Sequence, residues 1–286
     1  DGSHWKDTVV GDGGFLPIGT YTIREVEPPN GYRLNTEWNQ KFSITYDNEV
    51  VYLNQIYDLD DDANKDKLLQ ACGDDVQRAG IELYKSDNDR VTFLPHGDER
   101  LGQGDAHLSG AVFAVINMSR HDVFINGQRF KHGSLCYTFT TDENGYAASD
   151  LNTFPIGTYY IYEVMAPSGY FVDSSWSQEV YVREDGKMYT VGDINNNPVK
   201  ESVYRAGIIG NKIDAELDTA YAQGDASLNG AEISIINRSD YSVYVDGKWY
   251  EPGEVCYKTT TTWSDSIQAT DGTYEEGSVM EPGWWK

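Results

Sequence analysis

Cysteine is scarce in this 286-residue chain. The three residues present, Cys72, Cys136 and Cys256, are an odd number and do not make a disulfide framework. Basic residues are also few: 22 Lys and Arg stand against 46 Asp and Glu, a formal net charge of -24. Such a surface repels nucleic acid and anionic lipid, so neither is an expected partner. No apolar run approaches the roughly 20 residues that cross a bilayer, which excludes membrane insertion through a helix in this segment. Asp1-Gly2-Ser3-His4-Trp5 is not a signal peptide, and any export or anchoring signal is expected outside this fragment.

Marks of catalysis are missing as well. The five histidines, His4, His96, His107, His121 and His132, lack metal-ligand spacing, and neither a Gly-x-Ser-x-Gly elbow nor a phosphate loop occurs. No metal, cofactor or enzyme activity toward an outside substrate is expected. Asp58, Asp60, Asp62 and Asn64 alternate oxygen donors like a calcium loop, but Ala63 stands where glycine belongs and no bidentate glutamate follows. They read as a solvated acidic linker.

What the chain does have is repetition. Gln103-Gly-Asp-Ala-His-Leu-Ser-Gly-Ala111 returns 120 residues later as Gln223-Gly-Asp-Ala-Ser-Leu-Asn-Gly-Ala231. The same shift relates Ile116-Asn117 to Ile236-Asn237, Asn126-Gly127 to Asp246-Gly247, and Cys136-Tyr137 to Cys256-Tyr257, so both cysteines read as equivalent strand residues. Arg78-Ala-Gly-Ile81 matches Arg205-Ala-Gly-Ile208. A second repeat pairs Pro17-Ile-Gly-Thr-Tyr-Thr-Ile-Arg-Glu25 with Pro155-Ile-Gly-Thr-Tyr-Tyr-Ile-Tyr-Glu163. In the complete copy the Gly-Asp-Ala half precedes the Gly-Thr-Tyr half.

The expected organisation is therefore the C-terminal half of a β-sandwich in residues 1–57 and an acidic linker in 58–77 with at most a short helical turn. A complete sandwich follows in 78–200 and the N-terminal half of a further one in 201–286. The two halves would complete each other between successive periods of an array or between neighbouring chains. Copies of the chain itself, or adjacent repeats, are the expected partners.

Local patterning is that of strands. Tyr159, Ile161 and Glu163 alternate with Tyr160 and Tyr162, and Tyr21, Ile23 and Glu25 with Thr22 and Arg24, which is the period of two. Asn126-Gly127, Asn144-Gly145, Asp185-Gly186 and Asp246-Gly247 mark turns. An all-β fold of tandem immunoglobulin-like, prealbumin-like antiparallel sandwiches is expected, with no convincing helical periodicity.

The same alternation turns chemistry inward. Lys85 shares a face with Ile81 and Leu83, and Lys212 with Ile208 and Gly210. Asn196 shares one with Ile194 and Pro198, and Asn54 with Tyr52 and Ile56, while Glu163 and Glu25 follow Ile161 and Ile23. A buried ammonium beside a buried carboxylate is costly. Burial favours a neutral amine and a protonated acid, and an amine held against an asparagine carboxamide can displace ammonia while the glutamate relays protons. The product is an uncharged Lys–Asn isopeptide bond.

These residues resemble the collagen-adhesin B-type, or SpaA-type, isopeptide-forming pilin-like repeats of Gram-positive surface proteins. The resemblance rests on Lys-x-Asp at the first strand, Leu-x-Gly-Ala, and Gly-Thr-Tyr-x-Ile-x-Glu followed by Pro-x-Gly-Tyr. It implies one bond site at Lys85, Asn196 and Glu163 and another at Lys212, Asn54 and Glu25, the bonded asparagine of the first lying within Asn195-Asn196-Asn197. It also implies an extracellular structural subunit or stalk of a surface fibre, pilus or adhesin. The alternative is an adhesin tip that binds host matrix protein or glycan through the aromatic insertion 259–286. An extracellular enzyme using these repeats as spacers is disfavoured, because no segment is left over for a catalytic domain.

Overall fold

The computed structural model describes residues 16–47, 49, 51–53, 68–69, 73–93 and 101–262. Asn54, the Asp58–Asn64 run, Cys72, and residues 263–286 of the aromatic insertion lie outside the described residues. Six strands open the chain: β1 (Gly19–Arg24), β2 (Tyr32–Arg33), β3 (Asn39–Ile44), β4 (Tyr52–Leu53), β5 (Leu68–Leu69) and β6 (Asp75–Val76). The complete repeat follows with β7 (Arg78–Asp87), helix α1 (Asn88–Phe93), β8 (Val112–Asn117), β9 (Val123–Ile125), β10 (Gln128–Phe130), β11 (Leu135–Thr140) and β12 (Tyr146–Ala148). It continues through β13 (Phe154–Pro155), β14 (Gly157–Met165), β15 (Ser177–Val182), β16 (Met188–Val191) and β17 (Val199–Glu201). The last segment carries β18 (Glu232–Ile236), β19 (Val243–Val245), β20 (Lys248–Tyr250) and β21 (Val255–Thr260). No described helix is long and apolar enough to cross a membrane.

The chain divides into two compact units. One holds residues up to 80 with 150–157 and 181–187; the other holds 81–149, 158–180 and the residues from 188 onward.

In the second unit a four-stranded sheet runs in the order β11-β8-β14-β15. A second sheet is built on β7, which pairs with β12, β16 and β17. Side chains alternate as a strand requires: Tyr159, Ile161 and Glu163 of β14 are buried, while Tyr160 and Tyr162 between them are half-buried. Ile81, Leu83, Phe113, Val115, Tyr159, Ile161, Val191 and Val199 form the core and are fully buried. Each large apolar side chain among them contributes about 1.5–3 kcal/mol to folding.

One short helix, α1, stands within the otherwise all-β fold. It starts because the Asp87 carboxylate caps it, accepting hydrogen bonds from the backbone N–H groups of Asp89 (2.9 Å) and Arg90 (3.0 Å). Such a cap needs only one residue of the right kind and leaves no periodicity to read.

The 120-residue shift is visible bond for bond. Asn117 donates from Nδ2 to the carbonyls of His121 and Phe130, and Asn237 donates to those of Tyr241 and Tyr250. Thr141 Oγ1 donates to the Leu108 carbonyl and Thr261 Oγ1 to that of Leu228, both at 2.6 Å. Cys136 on β11 and Cys256 on β21 are both buried free thiols, as equivalent strand positions should be.

The last segment packs on the complete repeat through its β19–β20 hairpin. Buried Arg90 donates to the Gly102 carbonyl (2.8 Å) and to Ser242 Oγ (3.0 Å), and lies 4.8 Å over the Trp249 ring. Phe93 stacks on Tyr244 at 4.5 Å, and Arg205 pairs with Asp89 at 2.7 Å. The strand expected at Ile208–Lys212 is not formed: Ile208 is 75% exposed, and Lys212 is exposed as well. Its counterpart β7 is held by four partner strands; the stretch around Ile208 has no strand beside it among the described residues.

In the first unit β1 and β3 pair antiparallel from Gly19↔Ile44 to Arg24↔Asn39, with Tyr21 and Ile23 on the shielded face. The segment expected as linker contributes β5, which pairs parallel with β4, and β6, which pairs with β2. Arg33 grips both oxygens of Asp185 at 2.8 and 2.6 Å and donates to Asn152. This fork-on-carboxylate contact holds the Asp185 carboxyl below its usual range.

Candidate functional site

The site lies inside the complete sandwich. β7 brings Lys85 inward from one sheet, and β14 brings Glu163 inward from the other, with Phe113 as its cross-strand partner. The ladder slips by one residue immediately after Glu163, and Val164 and Met165 turn outward. The last strand, β17, runs parallel to β7 with Val199 opposite Lys85, and its next inward residue is Glu201.

These three ionisable side chains meet. Lys85 Nζ is 3.1 Å from Glu163 Oε1 and 2.5 Å from Glu201 Oε2, and none of the three side chains has any solvent exposure. The approaches lie off the hydrogen-bonding directions. Lys85 Nζ, both Glu163 oxygens and Glu201 Oε2 are left without a hydrogen bond of ordinary geometry. The other Glu201 oxygen, Oε1, accepts the Asp173 backbone N–H at 3.0 Å, which fixes the carboxyl plane.

Charge balance sets the protonation state. One ammonium faces two carboxyls in a dry interior, and burial drives the Glu163 carboxyl up to about 8, an effect reinforced by the neighbouring Glu201 carboxyl and opposed by Lys85. The dry interior thus favours the neutral acid form of Glu163, whose Oε1 lies 3.1 Å from the Lys85 nitrogen.

Two close backbone approaches hold Lys85 in place. The Lys85 N–H donates to the Gly145 carbonyl at 2.7 Å. A Cβ on Gly145, which adopts φ +67°, would fall 2.4 Å from the Lys85 carbonyl oxygen, so only glycine lets this turn press on β7.

Beside the site, Asp87 anchors a polar network. Its carboxylate accepts from Tyr170 O–H (2.9 Å) and from Gln103 Nε2. Burial raises the Asp87 carboxyl and also the Tyr170 phenol. The network was not among the expected site residues, although Asp87 is the last residue of Lys-x-Asp and Tyr170 the last of Pro-x-Gly-Tyr.

The expected asparagines sit elsewhere. Residues 193–196 form a turn closed by the Asn196 N–H on the Asp193 carbonyl at 2.9 Å, and Asn197 follows with φ +58°. Asn195, Asn196 and Asn197 are all exposed, and Asn197 Nδ2 points to the Ser177 carbonyl. The turn resets the parity of the strand, so the inward residues are Val199 and Glu201 rather than Ile194, Asn196 and Pro198. Period-two alternation counted from Val199 would have reached Glu201. Of the second expected site, Glu25 is partly buried and accepts the Asn35 N–H at 3.3 Å, Lys212 is exposed, and Asn54 is outside the described residues.

Among the described residues no group of three or more His, Cys, Asp or Glu is arranged to hold a metal ion.

Several solved structures are similar to this chain at low identity. The Bacillus anthracis TIE protein is 18% identical with a TM-score of 0.44, and the match covers 86% of this chain and 33% of that one. BcpA, the major pilin subunit of Bacillus cereus, is 22% identical with a TM-score of 0.26, over 44% of this chain and 29% of that one. Shaft pilin SpaA from Lactobacillus rhamnosus GG is 16% identical with a TM-score of 0.30, over 67% and 64%. The chain thus spans about a third of the length of the first two. Comparison with curated proteins gave no match. The family model for SpaA, a prealbumin-like fold domain, matches residues 4–56 and 100–197, which is more than half of the chain, and the protein belongs to that family.

Proposed function

We propose that this chain is a structural segment of an extracellular fibre or pilus on a Gram-positive cell surface, with the buried Lys85 site clamping the first and last strands of its complete repeat. The observation that carries this reading is the contact of Lys85 on β7 with Glu201 on β17. Because β7 and β17 are parallel, a chain entering at Arg78 and leaving after Glu201 is pulled from opposite ends of the pair. Tension then loads the ladder in shear, and a side-chain clamp across the same pair must yield before the strands slide.

The role is mechanical rather than catalytic toward outside molecules, since an ionisable triad with no solvent exposure offers no route for a substrate. SpaA-family membership and the pilin titles of two of the fold neighbours support a surface-fibre setting. In this reading the half-repeats at residues 16–53 and 201–262 complete each other between adjacent repeats or copies. Lys212, Asn54 and Glu25 would then form a second site, where a Lys–Asn isopeptide bond joins the halves.

Pulling single molecules by their ends tests the mechanical role. The complete repeat is expected to resist forces at which a Lys85→Ala variant extends. Equal extension of both at the same force overturns the reading.

A further inference from the structure

We propose that the exposed turn at residues 223–226 is a socket for the β9–β10 hairpin of a second copy of this chain, so that copies stack head to tail. The inference extends the fibre reading above, but it stands on an equivalent seat that is filled within the chain.

In that seat the turn at residues 103–106 holds the stretch 239–244 that leads into and through β19. The Tyr241 N–H donates to the Gly104 carbonyl at 3.0 Å, and the Gly104 N–H donates to the Ser242 carbonyl at 3.3 Å. Gln103 Oε1 accepts the Tyr244 N–H at 2.9 Å, and Asp105 Oδ1 accepts the Asp240 N–H at 3.1 Å. Each residue of Gln-Gly-Asp thus bonds to the hairpin segment, which gives the repeated motif a task. Gln103 is fixed from its other end, where Nε2 donates to Asp89 Oδ2 at 2.9 Å.

The second copy of the motif is built the same way and stands open. The Ala226 N–H closes the turn on the Gln223 carbonyl at 3.0 Å, as Ala106 closes on Gln103 at 3.1 Å. Gly224 and Gly104 share the left-handed backbone, with φ +58° and +64°. Asp214 caps Glu216 and Leu217 as Asp87 caps Asp89 and Arg90. Gln223 Nε2 donates to Glu216 Oε2 at 3.0 Å, which leaves Oε1 for an incoming N–H, as in Gln103. Yet residues 223–226 are all exposed. A Cβ on Gly104 would touch Val243 and Ser239 of the seated segment, whereas one on Gly224 would meet nothing within 4 Å among the described residues.

The occupant follows from the 120-residue shift. The twin of the seated segment is residues 119–130, which carry β9 and β10 and in which Arg120, His121 and Asp122 are exposed. Charge at the exchanged positions is complementary. The socket has Leu217 for Arg90 and Ser227 for His107, while keeping carboxylates at Glu216 and Asp225. The hairpin has Arg120 for Asp240 and Arg129 for Trp249. Cations have left the socket and appeared on the hairpin. Arg120 would face the Asp225 carboxylate. The Arg129 stem, held at Nε by Asp122 at 2.8 Å, would lie along Leu217 with its guanidinium near Glu216. Socket and hairpin are different surfaces of one chain, so the contact is heterologous and each added copy offers a fresh socket.

Sedimentation equilibrium of the full chain over a range of concentrations tests the proposal. Wild type should associate into oligomers that grow with concentration, and Asp225→Arg and Arg120→Glu should each lose that association. An equimolar mixture of the two variants should form dimers that grow no further, because one variant keeps a working hairpin and the other a working socket. A chain carrying both substitutions should regain growth. A wild type that stays monomeric overturns the proposal, and so does a mixture that does. Association that both single variants retain belongs to the pairing of half-repeats and overturns the socket. The Lys85 clamp lies outside both surfaces, so the pulling test of the mechanical role stands or falls separately.

Discussion

Val199 is the parallel register partner of Lys85, and this one pairing puts Glu201, two residues further along the same face, against the lysine ammonium. The last strand therefore presents a carboxyl to the core where an amide was expected.

Removing the lysine should be severe. Lys85→Met leaves Glu163 and Glu201 buried together with no cation and should cost about 3–5 kcal/mol of stability in chemical denaturation. Replacing all three by apolar residues of similar size should recover most of that loss, because no ionisable group then remains buried at this site.

Stability should fall as the solution becomes alkaline. Glu163 ordinarily titrates at 4.5 but is raised to about 8 in the fold, so between those values the folded chain binds a proton that the unfolded chain has lost. The contribution is complete below 4.5 and is lost as pH rises through about 8. Thermal midpoints measured from acid to mildly alkaline pH should decline across that window, and Glu163→Gln should flatten the decline.

The thiol of Cys136 should be inert in the native state. Burial pushes it up to about 12, and its Sγ donates to the Val115 carbonyl. An alkylating reagent near neutral pH should leave Cys136 unmodified until denaturant is added, as read from the mass of its peptide.

Arg90 should matter most for the segment after Glu201. Arg90→Ala removes the buried contacts to Gly102 and Ser242 and the cation over Trp249, and should cost about 1.5–3 kcal/mol. Limited proteolysis should then cut faster within residues 201–262 while the complete repeat stays protected.

Much of this architecture was legible in the residues. Alternation from Ile81 through Leu83 carried Lys85 inward, alternation from Tyr159 through Ile161 carried Glu163 inward, and the 120-residue shift paired Asn117 with Asn237. What escaped was whatever depends on a single local turn or on a partner strand. The turn at 193–196 and the left-handed Asn197 reset the parity of β17, so counting back from Pro198 reached an exposed Asn196. Ile208 through Lys212 has the pattern of β7 but no strand beside it among the described residues, and pattern alone does not make a strand. The cap on α1 came from one carboxylate.

The β8–β11 hairpin and its twin β18–β21 have a consequence for the order of folding. Both close over short stretches of chain through an asparagine bridging two carbonyls and a threonine bonded to Leu108 or Leu228. In the complete repeat β14 flanks β8, whereas β18 pairs only with β21 among the described residues, and the bonds are the same. This half of a repeat thus carries its own short-range closure, which costs little loop entropy and forms quickly. As the chain leaves the ribosome, each repeat would present a ready template edge before its Gly-Thr-Tyr strand has been made.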